Sequence, residues 1–362
     1  MTRIAILTPS LTTGDAVSND VLGMYGVLKE RGHDARVFAE GWTIDKPRVW
    51  SSPQVGNFVK KPNDVLIYHY SRGWDPGLDL LRDLKCRKII KYHNVTPPEF
   101  LAGYNSDFAA MCLEGREQLA LIARSGSDLY LSDSAYNMRE LVAGGATESK
   151  SFVVPPFHHV DRLDSIEADA DVLDACSDGK VNICMVGRVA PNKSHPALIE
   201  AFAAYHHDYN PNSRLIVVGK EEVRLEKYSA LLRALVSRLK LEESVIFTGE
   251  VSDRALRAYY AAAHVFMLTS EHEGFCVPLV EAMAMKIPIV AYASTAIPET
   301  VGAAGLVWEE RNPYLLAESI KSIVGDRSVG RALSELGWRR YAQHFTNARI
   351  ETGFLTAING LL

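Results

Sequence analysis

The segment TSEHEGFCVPLVEAMAMKIPIVAY, residues 269–292, carries the pattern that decides the fold. An apolar run at residues 265–269 leads into it, and Gly274 marks a loop. An apolar helix then begins near Pro278, because proline is tolerated in the first helical turn. A second apolar run, at residues 287–292, completes a unit of strand, loop, helix and strand. This arrangement predicts a parallel α/β sheet.

Two carboxylates, Glu273 and Glu281, lie in this largely apolar segment. Eight residues at about 100° each would leave them about 80° apart on one helix, so a single helix face cannot present both. We therefore predict that Glu273 lies in the loop and that Glu281 lies in the first turn of a helix over residues 278–285. Both carboxylates are then expected at the mouth of the strand-to-helix turn.

Strand and helix patterns alternate along the whole chain. Apolar runs predict strands at residues 3–8, 35–39, 65–70, 88–92, 128–132 and 152–154, and again at 181–186, 214–218, 244–247, 264–269, 287–292 and 304–308. Amphipathic segments such as residues 16–31 and 114–124 lie between several of them. The fold class is therefore α/β, with two doubly wound, Rossmann-like domains.

An acidic, weakly periodic stretch at residues 157–180 separates the two halves. We predict an N-terminal domain over residues 1–157 and a C-terminal domain over residues 158–340, facing each other across a cleft. Ligands in doubly wound sheets bind at the carboxyl ends of the strands. Residues 341–362 continue with helical periodicity beyond the last predicted strand.

Composition limits the classes of function. The 362 residues are 47% hydrophobic and 23% charged, which is ordinary for a globular enzyme, and the net charge of −5 argues against a general nucleic-acid binder. The five cysteines are scattered and odd in number, which favours a reducing compartment over a disulfide framework. Since no apolar run approaches about 18 residues, we expect a cytoplasmic protein. Attachment to the inner face of a membrane stays open.

The stretch CMVGRVAPNKSHPALIEAF predicts an anion site after the first strand of the second half. Gly187 permits a sharp turn, Arg188 and Lys193 project from the following loop, and Ser194 or His195 is the expected helix cap. Backbone N–H groups, helix dipole and side-chain charge then act with the same sign on a phosphate or diphosphate. The alternative is an ordinary solvated basic loop.

Taken together, these residues resemble those of a known family. The matching elements are Gly187-Arg188, Lys193, Glu273-Gly274-Phe275, Pro278 and Glu281-Ala282-Met283. In order and spacing they are similar to retaining nucleotide-sugar glycosyltransferases of the GT-B fold, family 4, of the bacterial polysaccharide-assembly type. The similarity extends over most of the second half, including LIVVGK, VIFTGEVSD and IPETVG, and is weaker in the first. The resemblance also implies that residues 341–362 form a C-terminal helix that crosses back to the N-terminal domain.

The resemblance implies a role for each charged residue. Arg188 and Lys193 would hold the donor diphosphate, and Glu273 would bind the donor sugar. Glu281 would hold the ribose, which suits a carboxylate because it accepts hydrogen bonds from both hydroxyls and would repel a phosphate. Without the surrounding motif, a first-turn glutamate such as Glu281 is explained equally well by stabilisation of the helix dipole.

Further donor-binding residues follow from the same resemblance. Backbone amides of Gly274 and Phe275 would contact the sugar, Val251 lies in a segment expected near the nucleobase, and Gly14 follows the first strand in a partial match to a glycine-rich phosphate loop. Cys276 stands where the family often has glycine, so its side chain would narrow the sugar pocket. Read by itself, Cys276 is a small buried hydrophobe.

In the first half, KYHNVTPPEF places His93 and Asn94 directly after a predicted strand. The family has a histidine here that contacts the donor sugar, so His93 joins the implied catalytic set with Arg188, Lys193 and Glu273. A lone histidine is more often structural, and this reading applies more strongly to His69. Tyr136-Asn137 is a weaker candidate at the same edge.

No metal or other cofactor is expected. The only Asp-x-Asp pattern considered as a metal motif, Asp169-Ala170-Asp171, lies in the acidic linker without a preceding strand. Arg188, Lys193 and a helix N-terminus can stabilise the departing diphosphate instead. Retention by same-face attack of the acceptor is implied by the resemblance alone.

The implied reaction is transfer of a hexose to a glycan or lipid-linked glycan in cell-surface polysaccharide synthesis. The segments EHEGFCVPLVEAM and YHNVTPPEF favour mannose from GDP-mannose. A UDP-dependent glucosyl- or galactosyltransferase, an epimerase, a phosphorylase and an inactive sugar-nucleotide-binding protein remain alternatives. A dehydrogenase using Glu40 lacks the G-x-G-x-x-G turn, since Gly14 stands alone.

A basic segment and the oligomeric state stay open. The cations Lys85, Arg87, Lys88 and Lys91 fit either an anionic lipid surface or a solvated helix end. Nothing in the sequence indicates the oligomeric state.

Overall fold

The computed structural model describes residues 2–362. The chain forms two compact units. The first unit contains the chain up to Pro98, Asp107–His159 and Thr346–Leu362, and the second contains Glu99–Ser106 and Val160–Phe345. Compared with the predicted domains, the short segment Glu99–Ser106 belongs to the second unit, where the Tyr104 ring packs edge-on against Tyr228 with centroids 5.1 Å apart.

Strands and helices alternate in both units. Up to residue 159 they are β1 (Arg3–Leu11), α1 (Ala16–Glu30), β2 (Asp34–Trp42), β3 (Val49–Ser51), α2 (Val55–Phe58), β4 (Val65–Tyr70), α3 (Asp75–Asp83), β5 (Arg87–Tyr92), α4 (Glu99–Ala102), α5 (Ser106–Ala123), β6 (Leu129–Ser132), α6 (Ala135–Gly144) and β7 (Ser151–Val153). They continue with α7 (Val160–Ser165), α8 (Ala170–Cys176), β8 (Val181–Val186), α9 (His195–Asp208), β9 (Ser213–Val218), α10 (Glu226–Arg238), β10 (Val245–Gly249), α11 (Asp253–Ala262), β11 (Val265–Leu268), α12 (Val277–Ala284), β12 (Ile289–Tyr292), α13 (Ile297–Val301), β13 (Gly305–Trp308), α14 (Pro313–Gly325), α15 (Arg327–His344) and α16 (Asn347–Ile358).

The first unit is built on a seven-stranded parallel sheet in the order β3-β2-β1-β4-β5-β6-β7. Side chains alternate between its faces, so Ile4 and Ile6 enter one core while Ala5 and Leu7 enter the other. Helix α16 belongs to the first of these cores, where Phe354 packs edge-on against Phe157. Burial of both faces explains the continuous apolar runs in the sequence.

The second unit has a six-stranded parallel sheet in the order β10-β9-β8-β11-β12-β13. In both sheets the order in which strands are added switches from one side to the other. The switch lies between the parallel neighbours β1 and β4 in the first sheet, and between β8 and β11 in the second. Loops that leave such a pair diverge and open a crevice at the carboxyl edge. This position is where the candidate site lies in the second unit.

Two local predictions need correction. The linker is more ordered than expected, because α7 and α8 lie within it and Asp169 caps α8 by accepting a hydrogen bond from the Val172 amide at 3.2 Å. The predicted lipid-facing or solvated Lys91 is fully buried on β5. Among the described residues, no helix is long and apolar enough to cross a membrane.

Candidate active site

The loops after β8 and β11 are joined at the carboxyl edge of the second sheet. The backbone amide of Glu271 donates to the Asn192 carbonyl at 2.8 Å, and the Asn192 side chain donates to the His272 carbonyl at 3.1 Å. These contacts connect a loop that carries cations to a loop that carries carboxylates. They fix the two loops in register at the topological switch point.

Lys193 and Glu273 form the centre of this arrangement. The ammonium nitrogen of Lys193 lies 2.6 and 2.8 Å from the two carboxylate oxygens of Glu273. The side chains are only 16% and 7% exposed, so the pair is largely shielded from water. The Glu273 amide donates to the hydroxyl of Thr295 at 2.9 Å, which orients the loop that carries the carboxylate. The structure thus brings together a predicted phosphate ligand and a predicted sugar ligand.

A close approach of two backbones shapes the loop after β8. Gly187 has a φ of +151°, and a Cβ on Gly219 would lie 2.0 Å from the Gly187 carbonyl oxygen. Only glycine at residue 219 allows the two turns to touch. The next side chain, Arg188, is 59% exposed and lies 3.8 Å from Glu222. Such a loose surface pair leaves the guanidinium able to bind an anion at little cost.

The N-terminus of α9 differs from the prediction in one detail. Ser194 occupies the cap position with a φ of +52° but makes no capping hydrogen bond with its side chain. Its hydroxyl instead accepts a hydrogen bond from Arg311 at 3.1 Å, and Arg311 also pairs with Glu271. Sequence analysis missed this contact, because Arg311 lies 117 residues beyond Ser194.

Glu281 lies deeper than predicted. Helix α12 begins at Val277, so Glu281 is in its second turn and the first turn contains no acidic residue. The prediction of a first-turn position was wrong because Val277 already adopts the helix and Pro278 is not its first residue. Glu281 is buried and accepts a hydrogen bond from the Tyr260 hydroxyl at 2.5 Å. Burial raises the pKa of Tyr260 well above its usual value, and the neighbouring Glu281 raises it further, so the phenol stays a donor.

The residues between these two glutamates form a tight connection. Gly274 and Phe275 lie in the loop, and the Phe275 carbonyl accepts a hydrogen bond from Thr300 at 2.9 Å. Cys276 is buried at the cap of α12 with a φ of +74°. Burial, with Glu273 adding to it, raises the pKa of the Cys276 thiol well above its usual value. This side chain is therefore a neutral, small group beside the carboxylate, without nucleophilic character.

The predicted nucleobase segment ends in an apolar cluster. Val251 is partly buried and packs against the core residues Cys184, Ile216 and Val218. In the chain, Val251 lies in the loop between β10 and α11. The contacts anchor that loop to the sheet, and its nucleobase role stays a prediction.

In the first unit, Gly14 and His93 follow β1 and β5. Gly14 has a φ of +77°, in the turn before Asp15 caps α1 by accepting from the Ser18 amide. The His93 imidazole is only 3% exposed. Its Nδ1 lies 2.9 Å from Asp133, and its Nε2 lies 2.9 Å from Nδ1 of His69. Both ring nitrogens are therefore engaged within this unit, and the predicted sugar contact of His93 stays a prediction.

The loop after His93 is clamped by polar side chains. Asn94 has a φ of +74°, and its amide nitrogen donates to Asn137 at 2.7 Å and to Glu140 at 2.8 Å. Asn137, the weaker candidate for a site residue, is fully buried, so its side chain serves to hold Asn94 in place. Arg116 neutralises Glu140 across 2.7 Å. These contacts hold a left-handed backbone in place immediately after His93.

Comparison with known proteins finds a family match within the second unit. Residues 175–340 match the family described as glycosyl transferases group 1. This range of the chain is similar to the glycosyl transferases of group 1. The matched range includes Lys193, Glu273 and Glu281, the residues around which the site is built.

Two curated relatives resemble parts of this chain. The O-antigen chain mannosyltransferase B of Escherichia coli is 31% identical over 40% of this chain and 36% of its own length. The mannosylfructose-phosphate synthase of Agrobacterium fabrum is 38% identical over 64% of this chain and 55% of its own length. The chain therefore spans about a third to a half of the length of these relatives.

A solved structure supports the fold of the whole chain. The Anabaena HepE protein, in complex with UDP and glucose, superimposes with a TM-score of 0.78 and covers 99% of this chain and 100% of its own, at 18% identity. At that identity the likeness concerns architecture. It establishes the predicted GT-B fold class of two Rossmann-like units.

Proposed function

We propose that this chain is a retaining hexosyltransferase that transfers mannose from GDP-mannose to a glycan or lipid-linked glycan in cell-surface polysaccharide synthesis. The observation that carries the proposal is the Lys193–Glu273 pair at the switch point of the second sheet. A nucleotide sugar has an anionic diphosphate beside a hydroxyl-rich ring. An ammonium and a carboxylate 2.6 Å apart match those two chemistries side by side.

The charges divide the work of binding the donor. Lys193, the exposed Arg188 and the amides at the start of α9 attract the diphosphate and stabilise the charge that grows on it. Glu281 accepts hydrogen bonds from the ribose hydroxyls, with Tyr260 holding one of its oxygens in place. Glu273 accepts from the sugar hydroxyls. Its contact strengthens as positive charge develops at the anomeric carbon.

The proposed chemical step needs no covalent intermediate. The anomeric C–O bond breaks and its electrons leave with the nucleoside diphosphate. The acceptor hydroxyl attacks the same face, and its proton passes to the departing phosphate oxygen. Because Arg188 and Lys193 supply positive charge, we propose that neither a metal nor another cofactor takes part.

The names of the two relatives support mannose as the transferred sugar, since both contain it. The UDP and glucose bound to the Anabaena protein favour the second candidate, a UDP-glucose-dependent transferase. Thermal unfolding with GDP, UDP, ADP and their sugars separates the two, because a ligand that binds the folded state raises the midpoint according to its occupancy. Stabilisation by UDP and UDP-glucose without any by GDP or GDP-mannose would replace the mannose proposal.

The acceptor is tested by product analysis. Mass spectrometry should detect a hexose added to a mannose-containing oligosaccharide or its lipid-linked form. Addition to a fructose phosphate instead would match the Agrobacterium relative's name and would replace the glycan acceptor of the proposal. Donor turnover that is independent of any acceptor, with an epimerised sugar as product, would indicate an epimerase.

A further inference from the structure

Six residues other than glycine have a positive φ within residues 2–362. L-amino acids adopt this left-handed backbone at an energetic cost that glycine avoids. Three of the six have ordinary explanations: Lys240 and Lys286 follow helices α10 and α12, where a left-handed residue commonly ends a helix, and asparagine, here Asn94, tolerates the conformation. The other three lie in loops around the Lys193–Glu273 pair and are Ser194, Cys276 and Thr295.

Ser194 follows Lys193 directly and is fixed by three hydrogen bonds. Its amide donates to the Pro191 carbonyl at 3.0 Å, and its carbonyl accepts from the Thr269 hydroxyl at 3.0 Å. Its own hydroxyl accepts from Arg311 at 3.1 Å. With a φ of +52° and only 6% of its surface exposed, Ser194 forms a buried left-handed turn between Lys193 and helix α9. The Lys193 backbone is therefore fixed on its C-terminal side.

Thr295 holds Glu273 from the loop after β12. Its hydroxyl accepts a hydrogen bond from the Glu273 amide at 2.9 Å, and the next amide, that of Ala296, donates to the Glu273 carbonyl at 3.4 Å. In the same loop, the Ser294 hydroxyl donates to the Ser270 carbonyl at 2.6 Å. Thr295 has a φ of +45°, which is strained because a β-branched side chain crowds a left-handed backbone. Both backbone groups of Glu273 are thus bound by one loop.

The hydroxyl groups explain why these two residues are not glycine. Glycine would adopt the same backbone without strain, but it would remove one partner of Arg311 at residue 194 and the acceptor of the Glu273 amide at residue 295. Each strained turn is therefore stabilised by a contact that its side chain makes. Cys276 is a different case, because a thiol accepts hydrogen bonds only weakly.

The two turns act on opposite members of one ion pair. Ser194 fixes the backbone beside the ammonium, and Thr295 fixes the backbone that carries the carboxylate. Because the charged atoms lie only 2.6 and 2.8 Å apart, a small shift of either loop would lengthen or break their contact. Strain that the surrounding contacts maintain at a site is one means of preorganising it.

We propose that Ser194 and Thr295 are positioning residues for the transfer reaction, and that their hydroxyl groups hold two strained turns which fix Lys193 and Glu273 against each other. Their role in turnover rests on the proposed function, in which Lys193 binds the diphosphate and Glu273 binds the sugar. The strain lowers stability and serves orientation. A purely structural role would make stability and activity change together, whereas positioning makes them separable.

The decisive variants are Thr295→Gly and Thr295→Ser. Glycine removes both the strain and the hydroxyl, and these changes have opposite effects on stability, so the thermal midpoint should stay within about 2 °C of the wild type. The kcat should nevertheless fall about tenfold, with KM for the donor nearly unchanged, because Glu273 loses its fixed orientation. Serine keeps the hydroxyl and should hold kcat within about threefold of the wild type.

The matched control is Lys240→Gly. Lys240 has a φ of +56° and is exposed at the C-terminal end of α10. Glycine relieves strain there without removing a hydroxyl, so the thermal midpoint should rise by about 1–3 °C with kcat unchanged. This control separates the relief of strain from the loss of the hydrogen bond.

Ser194→Gly tests the other member of the pair. Calorimetry should show affinity for the nucleoside diphosphate weakened about three- to tenfold, because Lys193 and the first amides of α9 lose their orientation toward the anion. Thr295→Gly should change this affinity by less than about threefold, since it acts on the sugar side of the pair. Unchanged affinity in Ser194→Gly would overturn the role of Ser194.

Hydrogen exchange at the Glu273 amide provides a readout that needs no substrate. In residue-resolved NMR of the full chain, this amide should be protected in the wild type, in Thr295→Ser and in Lys240→Gly, and should exchange at least about tenfold faster in Thr295→Gly. Rapid exchange in the wild type would overturn the proposal, even if a variant fails to fold. So would a Thr295→Gly variant whose kcat lies within about threefold of the wild type.

The exchange and transfer measurements separate this inference from the proposed function. If the amide exchanges as expected but no nucleotide sugar is turned over, the proposed function fails and the hold of Thr295 on Glu273 stands. If transfer occurs and Thr295→Gly keeps the wild-type kcat, the proposed function stands and the positioning role is refuted. A fall of kcat with a matching fall of the thermal midpoint in both Thr295 variants would show a purely structural role and refute it as well.

Discussion

Replacing Glu273 by glutamine tests the centre of the proposed donor site. The substitution preserves size and one hydrogen-bond acceptor but removes the charge that holds Lys193 at 2.6 and 2.8 Å. At about 2.7 Å and an effective dielectric constant of about 20, the direct attraction is about 6 kcal/mol before desolvation is counted. The net value of a hydrogen bond to a charged group is smaller, about 1.5–3 kcal/mol. We expect Glu273→Gln to reduce the free energy of unfolding by that amount.

The effect on ligands should have the opposite sign for binding and for turnover. In the unbound protein Glu273 competes with the diphosphate for Lys193. Glu273→Gln should therefore leave nucleoside diphosphate affinity unchanged or up to tenfold tighter, which is at most about 1.4 kcal/mol. Turnover should fall about 100-fold, because the lost contact is strongest when charge develops on the sugar.

The assays are calorimetry with the nucleoside diphosphate and steady-state transfer kinetics. The matched control is Glu271→Gln, which removes a carboxylate from the same loop that pairs with Arg311 and is a third exposed. We expect less than a threefold change in either assay for this control. A tenfold or greater loss of nucleoside diphosphate affinity in Glu273→Gln, with Glu271→Gln unaffected, would refute the reasoning.

Three further predictions follow from named groups. Glu281→Ala should weaken the nucleoside diphosphate and the intact donor alike, by about 1–3 kcal/mol in calorimetry, and an effect on the donor alone would contradict a ribose contact. Transfer should persist in excess EDTA, since Arg188 and Lys193 carry the charge; loss in EDTA with rescue by Mn²⁺ would overturn the metal-free mechanism. Burial, with Lys193 adding to it, lowers the pKa of His195 to about 3. Because the unfolded chain takes up this proton near pH 6.5 and the folded chain does not, stability should fall between pH 6.5 and 3, by up to about 5 kcal/mol. Urea unfolding should show a weaker pH dependence in His195→Gln.

The periodicity of apolar residues predicted the sheets because both faces of each sheet are buried. All twelve predicted strands are present, with ends shifted by at most three residues. The short edge strand Val49–Ser51 was not predicted, because three residues are too few to show an apolar periodicity. The helix after Glu273 began one residue earlier than expected, and that small error moved Glu281 from the first turn to the second.

The residues of the candidate site fall into two groups: those that the neighbouring sequence identifies, and those that it does not. Lys193 and Glu273 were recognised because each lies in the loop that follows a strand, at the edge where a parallel sheet brings side chains together. Tyr260, which holds Glu281, belongs to an ordinary amphipathic helix and gives no local signal. The motif therefore led to the residues proposed to bind the donor and left out Tyr260, which positions one of them.

Lys91 shows why the remainder could not be predicted. In sequence it follows Lys85, Arg87 and Lys88, which suggested a solvated or lipid-facing basic segment. Its partners in the folded chain are Asp20, 71 positions earlier in the sequence, and Asp133, 42 positions later. Only the order of β4, β5 and β6 in the sheet brings these charges together. A lysine within a strand whose neighbours Ile89, Ile90 and Tyr92 are apolar was nevertheless a usable signal. A cation in a strand that is covered on both faces has to be paired, so such a residue predicts buried acidic partners before their positions are known.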